Sequence, residues 1–168
     1  EGRRLLAAGK PADALPFYGQ ALDMAEVHLG SDSAALGLLL HELGTVFRAA
    51  GDLGRAEEQF RRALTILEGA LGPDHPALPP TLADLARLVE QRGDPADAQV
   101  LYQRLVAGLR RTREAGDEEI VSALGQLALS LDQQQRPDEA ESLYRRAVAE
   151  ADGQGRESVE LATVLNNL

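Results

Sequence analysis

The chain repeats itself every 42 residues, and that spacing constrains its fold more than any other feature. Ala14, Ala56, Ala98 and Ala140 stand 42 residues apart. Four positions on come Tyr18, Phe60, Tyr102 and Tyr144, and three further come Ala21, Ala63, Leu105 and Ala147. The segment before them reads Gly9-Lys10-Pro11, Gly51-Asp52-Leu53, Gly93-Asp94-Pro95 and Gln135-Arg136-Pro137. One match at a fixed period would be weak evidence. Several registers kept through four copies mark an internal repeat.

Each unit reads as two helices around a turn. Upstream of the turn, Leu40, Leu43, Gly44 and Phe47 return as Leu82, Leu85, Ala86 and Val89, then as Leu124, Leu127, Ala128 and Leu131. Apolar residues at i, i+3, i+4 and i+7 make one helical stripe; this is helix A, and the segment after the turn is helix B. Gly51 and Gly93 sit where helix A must stop, because glycine takes the left-handed conformation without strain. Pro11, Pro95 and Pro137 share the first position of helix B, where a missing N–H costs nothing. Asp52 and Asp94 precede that position and can cap the helix. Gly72-Pro73-Asp74-His75-Pro76 breaks the chain between one unit and the next, and Gly30-Ser31-Asp32-Ser33 is its counterpart a repeat earlier.

Small residues at 44, 86 and 128 and at 14, 56, 98 and 140 let the two helices of a hairpin approach closely. The aromatic at 18, 60, 102 and 144 then fills the space beside the next helix A. A hairpin of this kind leaves an apolar face that only a neighbouring hairpin can bury, so the units stack into an α-solenoid. Composition agrees. Hydrophobic residues make up 44% but aromatics only 4% with no Trp, and the β-branched and aromatic runs that strands need are missing.

These residues resemble the tetratricopeptide repeat (TPR). Leu40, Leu43, Gly44, Phe47, Ala56 and Phe60 follow its pattern, with leucine in place of the usual Trp. The 42-residue period, against about 34 in the common form, and the Gly-Pro-Asp-His-Pro break are similar to kinesin-light-chain-type TPRs, widespread in bacterial multidomain proteins. The resemblance implies an all-α, right-handed superhelix of antiparallel helix-turn-helix repeats, with helix A residues lining a concave groove that holds peptides or helices. It implies a structural role for His75. The register divides the chain into a partial first unit 1–33, units 34–75, 76–117 and 118–157, and a partial last unit 158–168, all in one solenoid. Leu165-Asn166-Asn167-Leu168 fits helix A best with one residue deleted before it. Both ends then fall inside helix A without polar capping repeats, the expected form of a segment of a longer array.

Chemistry is hard to find. His28, His41 and His75 lie in different columns without H-x-x-x-H or H-E-x-x-H spacing. There is no Cys, which excludes disulfides and thiolate metal sites. Glu57-Glu58 and Glu118-Glu119 read as solvated helix faces rather than acid–base pairs. No phosphate-binding glycine loop and no G-x-S-x-G occurs. The sequence therefore points to no catalytic, metal or cofactor site, and the chain reads as a scaffold and not an enzyme. Its net charge is −10. Such a surface repels phosphate and argues against nucleic acid or anionic membrane as partner. No apolar run approaches the ~18 residues of a membrane span, and there is no signal peptide, so a cytoplasmic setting is expected. Of 17 basic residues all but Lys10 are Arg, a bias of GC-rich coding. The Arg61-Arg62, Arg110-Arg111 and Arg145-Arg146 pairs lie on B helices and are expected to face outward.

By the TPR register the groove is lined by Leu38, His41, Glu42, Thr45 and Arg48; by Ala83, Asp84, Arg87 and Glu90; by Ser122, Gly125, Gln126, Leu129 and Asp132; and by Asn166 and Asn167. Small residues there leave room for a ligand backbone. Glu42, Asp84, Gln126 and Asn167 share a column and can hydrogen-bond an extended peptide. Kinesin-light-chain-type repeats commonly carry Asn in that column. The acids here favour ligands with free N–H groups or basic side chains. The Lys/Asn carboxylate clamp of chaperone-binding TPRs is absent from the matching positions. The expected partner is a protein or peptide. The competing reading is an architectural segment that self-associates through its exposed solenoid ends.

Overall fold

The computed structural model describes residues 1–113 and 117–152. Among these residues the chain is all helix: α1 (Gly2–Ala7), α2 (Pro11–Leu29), α3 (Ala34–Ala49), α4 (Leu53–Leu71), α5 (Leu78–Gln91), α6 (Pro95–Thr112), α7 (Glu118–Gln133) and α8 (Pro137–Asp152). Odd-numbered helices are the A helices and even-numbered ones the B helices. The chain divides into two compact units, Glu1–Leu88 and Val89–Leu168, with the division inside α5.

The turns show why the period is so regular. Each helix A closes on itself by a hydrogen bond from the residue after the left-handed position back to the fifth residue before it. Lys10 N–H donates to Leu5 O (2.9 Å), Asp52 to Phe47 (2.9 Å), Asp94 to Val89 (3.2 Å) and Arg136 to Leu131 (3.0 Å). This closure satisfies carbonyls that the ending helix would leave open. It needs a positive φ at the residue between. Gly9, Gly51 and Gly93 supply 69°, 83° and 86°, and the fourth copy forces Gln135 to 59°. The next helix then starts at once. Pro11, Pro95 and Pro137 occupy first positions, and the Asp52 and Asp94 carboxylates accept from Arg55 N–H (3.1 Å) and Asp97 N–H (3.0 Å).

In the first unit the repeat columns are the core. Ala14, Ala56, Phe60 and Ala63 are fully buried, and Tyr18 nearly so. Gly44 explains the small column: a Cβ there would lie 2.8 Å from the Phe60 ring. Gly2, one period earlier, stands in the same relation to Tyr18, at 3.0 Å. The aromatic thus presses on the small residue of its own hairpin, and it also reaches the next helix A. Tyr18 and Ala14 of α2 form one cluster with Leu43 and Val46 of α3. Ala25 of α2, Leu36 and Leu40 of α3 and Ala63 of α4 form the next. Each fully buried Leu or Phe contributes about 1.5–3 kcal/mol, so the stack rests on these columns.

In the second unit Ala98, Tyr102, Leu105, Ala128, Ala140, Tyr144 and Ala147 repeat the arrangement, all buried. The Gln134 amide stitches the end of α7 to the start of α6, donating to Pro95 O at 3.1 Å. Between α4 and α5 the Gly-Pro-Asp-His-Pro break holds itself in shape: His75 Nδ1 accepts from the Ala77 N–H at 3.1 Å.

Candidate functional site

The first unit gathers the predicted groove residues of α3 and α5 around one carboxylate. Asp84, on α5, is only 13% exposed at its side chain. Arg87 donates to it at 2.7 Å from one turn further on. Arg48 of α3 approaches to 3.5 Å, and His41 Nε2 of α3 to 3.6 Å. The other ring nitrogen of His41 lies 3.1 Å from the hydroxyl of Thr81, which is buried. The imidazole also leans on Phe60, ring centroids 5.5 Å apart. Nδ1 thus shares a hydrogen bond with Thr81, while Nε2 faces Asp84 from beyond hydrogen-bond distance. Burial lowers the His41 pKa; Asp84 and Glu42 oppose that shift and Arg48 adds to it. Burial therefore favours the neutral ring, held at Nδ1 by Thr81.

A cleft of about 360 Å³ opens beside this cluster, lined by Arg3, Leu6 and Ala7 of α1, Tyr18 of α2, and His41, Glu42 and Thr45 of α3. Glu42 is gripped at its rim by the Arg3 guanidinium through both carboxylate oxygens. Burial raises the Tyr18 pKa, and the Glu42 charge raises it further. The Thr45 hydroxyl donates to His41 O, one turn back on its own helix, at 3.2 Å. The polar atoms on the rim thus engage one another, and the remaining lining is aliphatic and aromatic.

The second unit treats the same columns differently. Glu90 and Asp132 each accept from a tyrosine hydroxyl of the following helix B, Tyr102 and Tyr144, both at 3.2 Å. Burial raises the Glu90 pKa, opposed by the Tyr102 hydrogen bond. Its second oxygen is buried without a hydrogen-bond partner. Ser122, Gly125, Gln126 and Leu129 lie half-buried on α7, as Ala83 does on α5. Leu38 is exposed on α3. Asn166 and Asn167 lie outside the described residues. Of the B-helix arginine pairs, Arg61, Arg62, Arg111, Arg145 and Arg146 face outward as expected, but Arg110 does not. It is half-buried and paired with Glu150 of α8, an acid that a single-helix reading could not foresee.

Several site residues escaped the sequence reading. Arg3, Leu6 and Ala7 were available to it, since they sit 42 residues before Thr45, Arg48 and Ala49. The column of Tyr18 announces packing only. Thr81 carried no signal at all, because nothing in its own segment announces a buried hydroxyl facing a histidine 40 residues earlier. Among the described residues no group of three or more His, Asp or Glu is placed to hold a metal. No described helix is long and apolar enough to cross a membrane.

Two tetratricopeptide-repeat family models match the sequence, one over residues 2–69 and again over 36–111, the other over 83–155. The chain belongs to the tetratricopeptide-repeat family. The TPR fold is shared with solved structures along its length. The nearly identical TPR-like repeats of a kinesin-light-chain-type protein from Podosopora anserina superpose with a TM-score of 0.88 at 22% identity, over 99% of this chain and 79% of that one. BtubC (BKLC) from P. vanneervenii gives 0.81 at 19% identity, over 94% of this chain and 63% of that one. MamA gives 0.67 at 17%, over 93% and 77%. No curated protein matches the sequence. These likenesses fix the fold class as the all-α TPR solenoid of antiparallel helix pairs. TPR repeats in general mediate protein–protein interaction and scaffolding.

Proposed function

We propose that this TPR chain is a protein-binding scaffold that engages a peptide or partner protein through the A-helix side of its repeats. The cleft in the first unit carries the proposal. It has apolar walls, Leu6, Ala7 and the Tyr18 ring, within a rim of hydrogen-bonding groups, Arg3, Glu42, His41 and Thr45. That mixture suits a ligand anchored by a side chain and oriented by its backbone. Beside it, Arg48 and Arg87 keep guanidinium groups partly open to solvent above a nearly covered Asp84, side chains 34% and 55% exposed against 13%.

The test is an arrayed peptide library, followed by anisotropy titration of the peptides it selects. Thr45→Trp, which fills the cleft, and Arg87→Glu, at its exposed neighbour, should each weaken binding about tenfold or more, roughly 1.4 kcal/mol. The melting temperature of Thr45→Trp should stay close to that of the parent, and Arg87→Glu, which sets a carboxylate beside Asp84, is titrated well below its own melting temperature. A triple reversal, Glu42→Lys with Arg48→Glu and Arg87→Glu, that left every selected peptide's affinity unchanged would show that the A-helix side is not the binding surface.

A further inference from the structure

The columns by which one B helix faces the next change their chemistry between the two units. In the first unit Glu26 of α2 pairs with Arg62 of α4 at 2.5 Å. Ile66, one turn beyond Arg62, packs against the cluster of Ala25, Leu36, Leu40 and Ala63. Two periods later those three columns hold Arg110, Arg146 and Glu150. Two arginines stand where an opposite pair stood, and a carboxylate has taken the apolar column. Glu150 of α8 receives the Arg110 guanidinium of α6, and Arg146 approaches the same oxygen, Oε1, to 3.6 Å. The Glu150 side chain is only 18% exposed, whereas Arg146 keeps 53%. Arg110 Nε is buried without a hydrogen-bond partner among the described residues. For the fold alone this is the poorer arrangement. One carboxylate faces two guanidinium groups, so one positive charge is left over, and a buried donor left unpaired costs stability. Stacking does not demand either cost, since the first unit stacks without them.

We infer that Arg110 and Arg146 form an anion site on the B helices of the second unit, completed by an oxyanion group, a carboxylate or a phosphate. The incoming group neutralises the charge that Glu150 leaves over. The neighbouring arginines do not share it, because Arg145 is paired with Glu141 and Arg113 with Glu119. Two guanidinium groups from different helices converge on one point, and an oxyanion has enough lone pairs to accept from both. The roles of the two differ. Arg146 is the open half and meets the anion first. Arg110 is held in place by Glu150 and gives the site a fixed edge, so less side-chain freedom is lost on binding. The site uses no residue of the A-helix cleft, and it is separate from the peptide-binding side proposed above.

Titration of the full 168-residue chain with inorganic phosphate, and separately with acetate, tests the inference. Ionic strength is held constant with chloride, and arginine Nε–H signals are followed by NMR. The signals of Arg110 and Arg146 should move together along one saturating curve, with a Kd on the order of millimolar for a partly open site. Arg62, paired one to one with Glu26, should move little. The tighter of the two anions names the group that the site prefers. Arg146→Gln should raise that Kd at least about tenfold. Arg110→Glu with Glu150→Ile writes the first unit's choice into the second. That double variant should melt at or above the parent and lose the saturable response, which separates lost binding from lost folding. An unsaturated drift shared by all arginine signals, an unchanged Kd in Arg146→Gln, or a response that survives in the double variant overturns the inference. So does a double variant that melts below the parent, which would mean that the two arginines serve the stacking of the helices instead.

Discussion

The two units put one A-helix column to opposite uses. In the first, Arg48 sits twelve residues before Phe60 and turns to Asp84. In the second, Glu90 and Asp132 sit twelve residues before Tyr102 and Tyr144 and accept their hydroxyl protons. In these three hairpins the difference goes with the aromatic, whereas Tyr18 stands twelve residues after Leu6 and turns to Glu42 instead. A ring with a hydroxyl brings a donor into a half-buried seam, and an acid answers it. A ring without one leaves the column to a base that pairs with the neighbouring A helix. A residue that the register places on the binding side is therefore committed or available according to a residue on helix B. Glu90 and Asp132 are committed to the fold. Arg48 and Arg87 keep exposed guanidinium surface.

The sharpest way to break this comparison is Tyr102→Phe. It removes the donor to Glu90, whose other oxygen is already buried without a partner. A buried acceptor left unpaired costs about 1–3 kcal/mol, and urea unfolding should show a loss of that size. Phe60→Tyr should gain nothing, because Arg48 offers no acceptor to a new hydroxyl. If Tyr102→Phe proved as stable as the parent, the tyrosine would not be what holds Glu90, and the contrast between the units would collapse.

The turns give the next effect. Gly9, Gly51 and Gly93 adopt the left-handed conformation freely, while Gln135 does so under strain at φ 59°. Gln135→Gly should stabilise the chain by about 1 kcal/mol, and Gly93→Ala should destabilise it by about as much. The pair of melting curves separates the strain of one turn from any general preference for glycine. Equal and opposite shifts support the common turn geometry, and a destabilising Gln135→Gly would refute it.

How far the sequence could be read follows the same division. The turns, the proline starts, the aspartate caps and the small columns were legible because each depends on residues within one hairpin, and the choice recurs between copies, with glycine at three of four turns, proline at three of four starts and aspartate at two. The candidate site was legible only where the register carried it. His41, Glu42, Thr45, Arg48, Asp84 and Arg87 do lie together in the first unit. What the register could not show is which of them is already spent. The Thr81–His41 contact and the Arg110–Glu150 pair join side chains 40 residues apart, and the partner differs from copy to copy. A periodic pattern fixes the backbone positions that meet. It does not fix the hydrogen bonds made by the variable side chains on them.

A graft would sharpen the comparison more finely. Arg48→Glu combined with Phe60→Tyr installs the second unit's acid–tyrosine pair in the first. Arg48→Glu alone sets a new carboxylate toward Asp84 and should destabilise. The double variant should recover about 0.5–1.5 kcal/mol relative to the sum of the singles, read from a double-mutant cycle. Additive effects would mean that the column and the aromatic are independent.

The smallest effect is in pH, where the two units should respond with opposite sign. His41 has its folded pKa lowered from 6.5 by burial, among Thr81 and Asp84 of α5, Phe60 of α4, and Glu42 and Arg48 of α3. The folded state then binds a proton less readily than the unfolded chain, so its contribution to stability is present above pH 6.5 and is lost as pH falls below it. Glu90 has its pKa raised from 4.5, again by burial. There the folded state holds the proton more readily, and its contribution grows as pH falls through the raised value toward 4.5. His41→Gln should flatten the part of the stability–pH curve just below 6.5, and Glu90→Gln the part just above 4.5. Urea midpoints taken across that range for the two variants and the parent separate the contributions. If His41→Gln left the slope below pH 6.5 unchanged, the imidazole would not be the group that loses its footing there, and its held, neutral state between Thr81 and Asp84 would have to be given up.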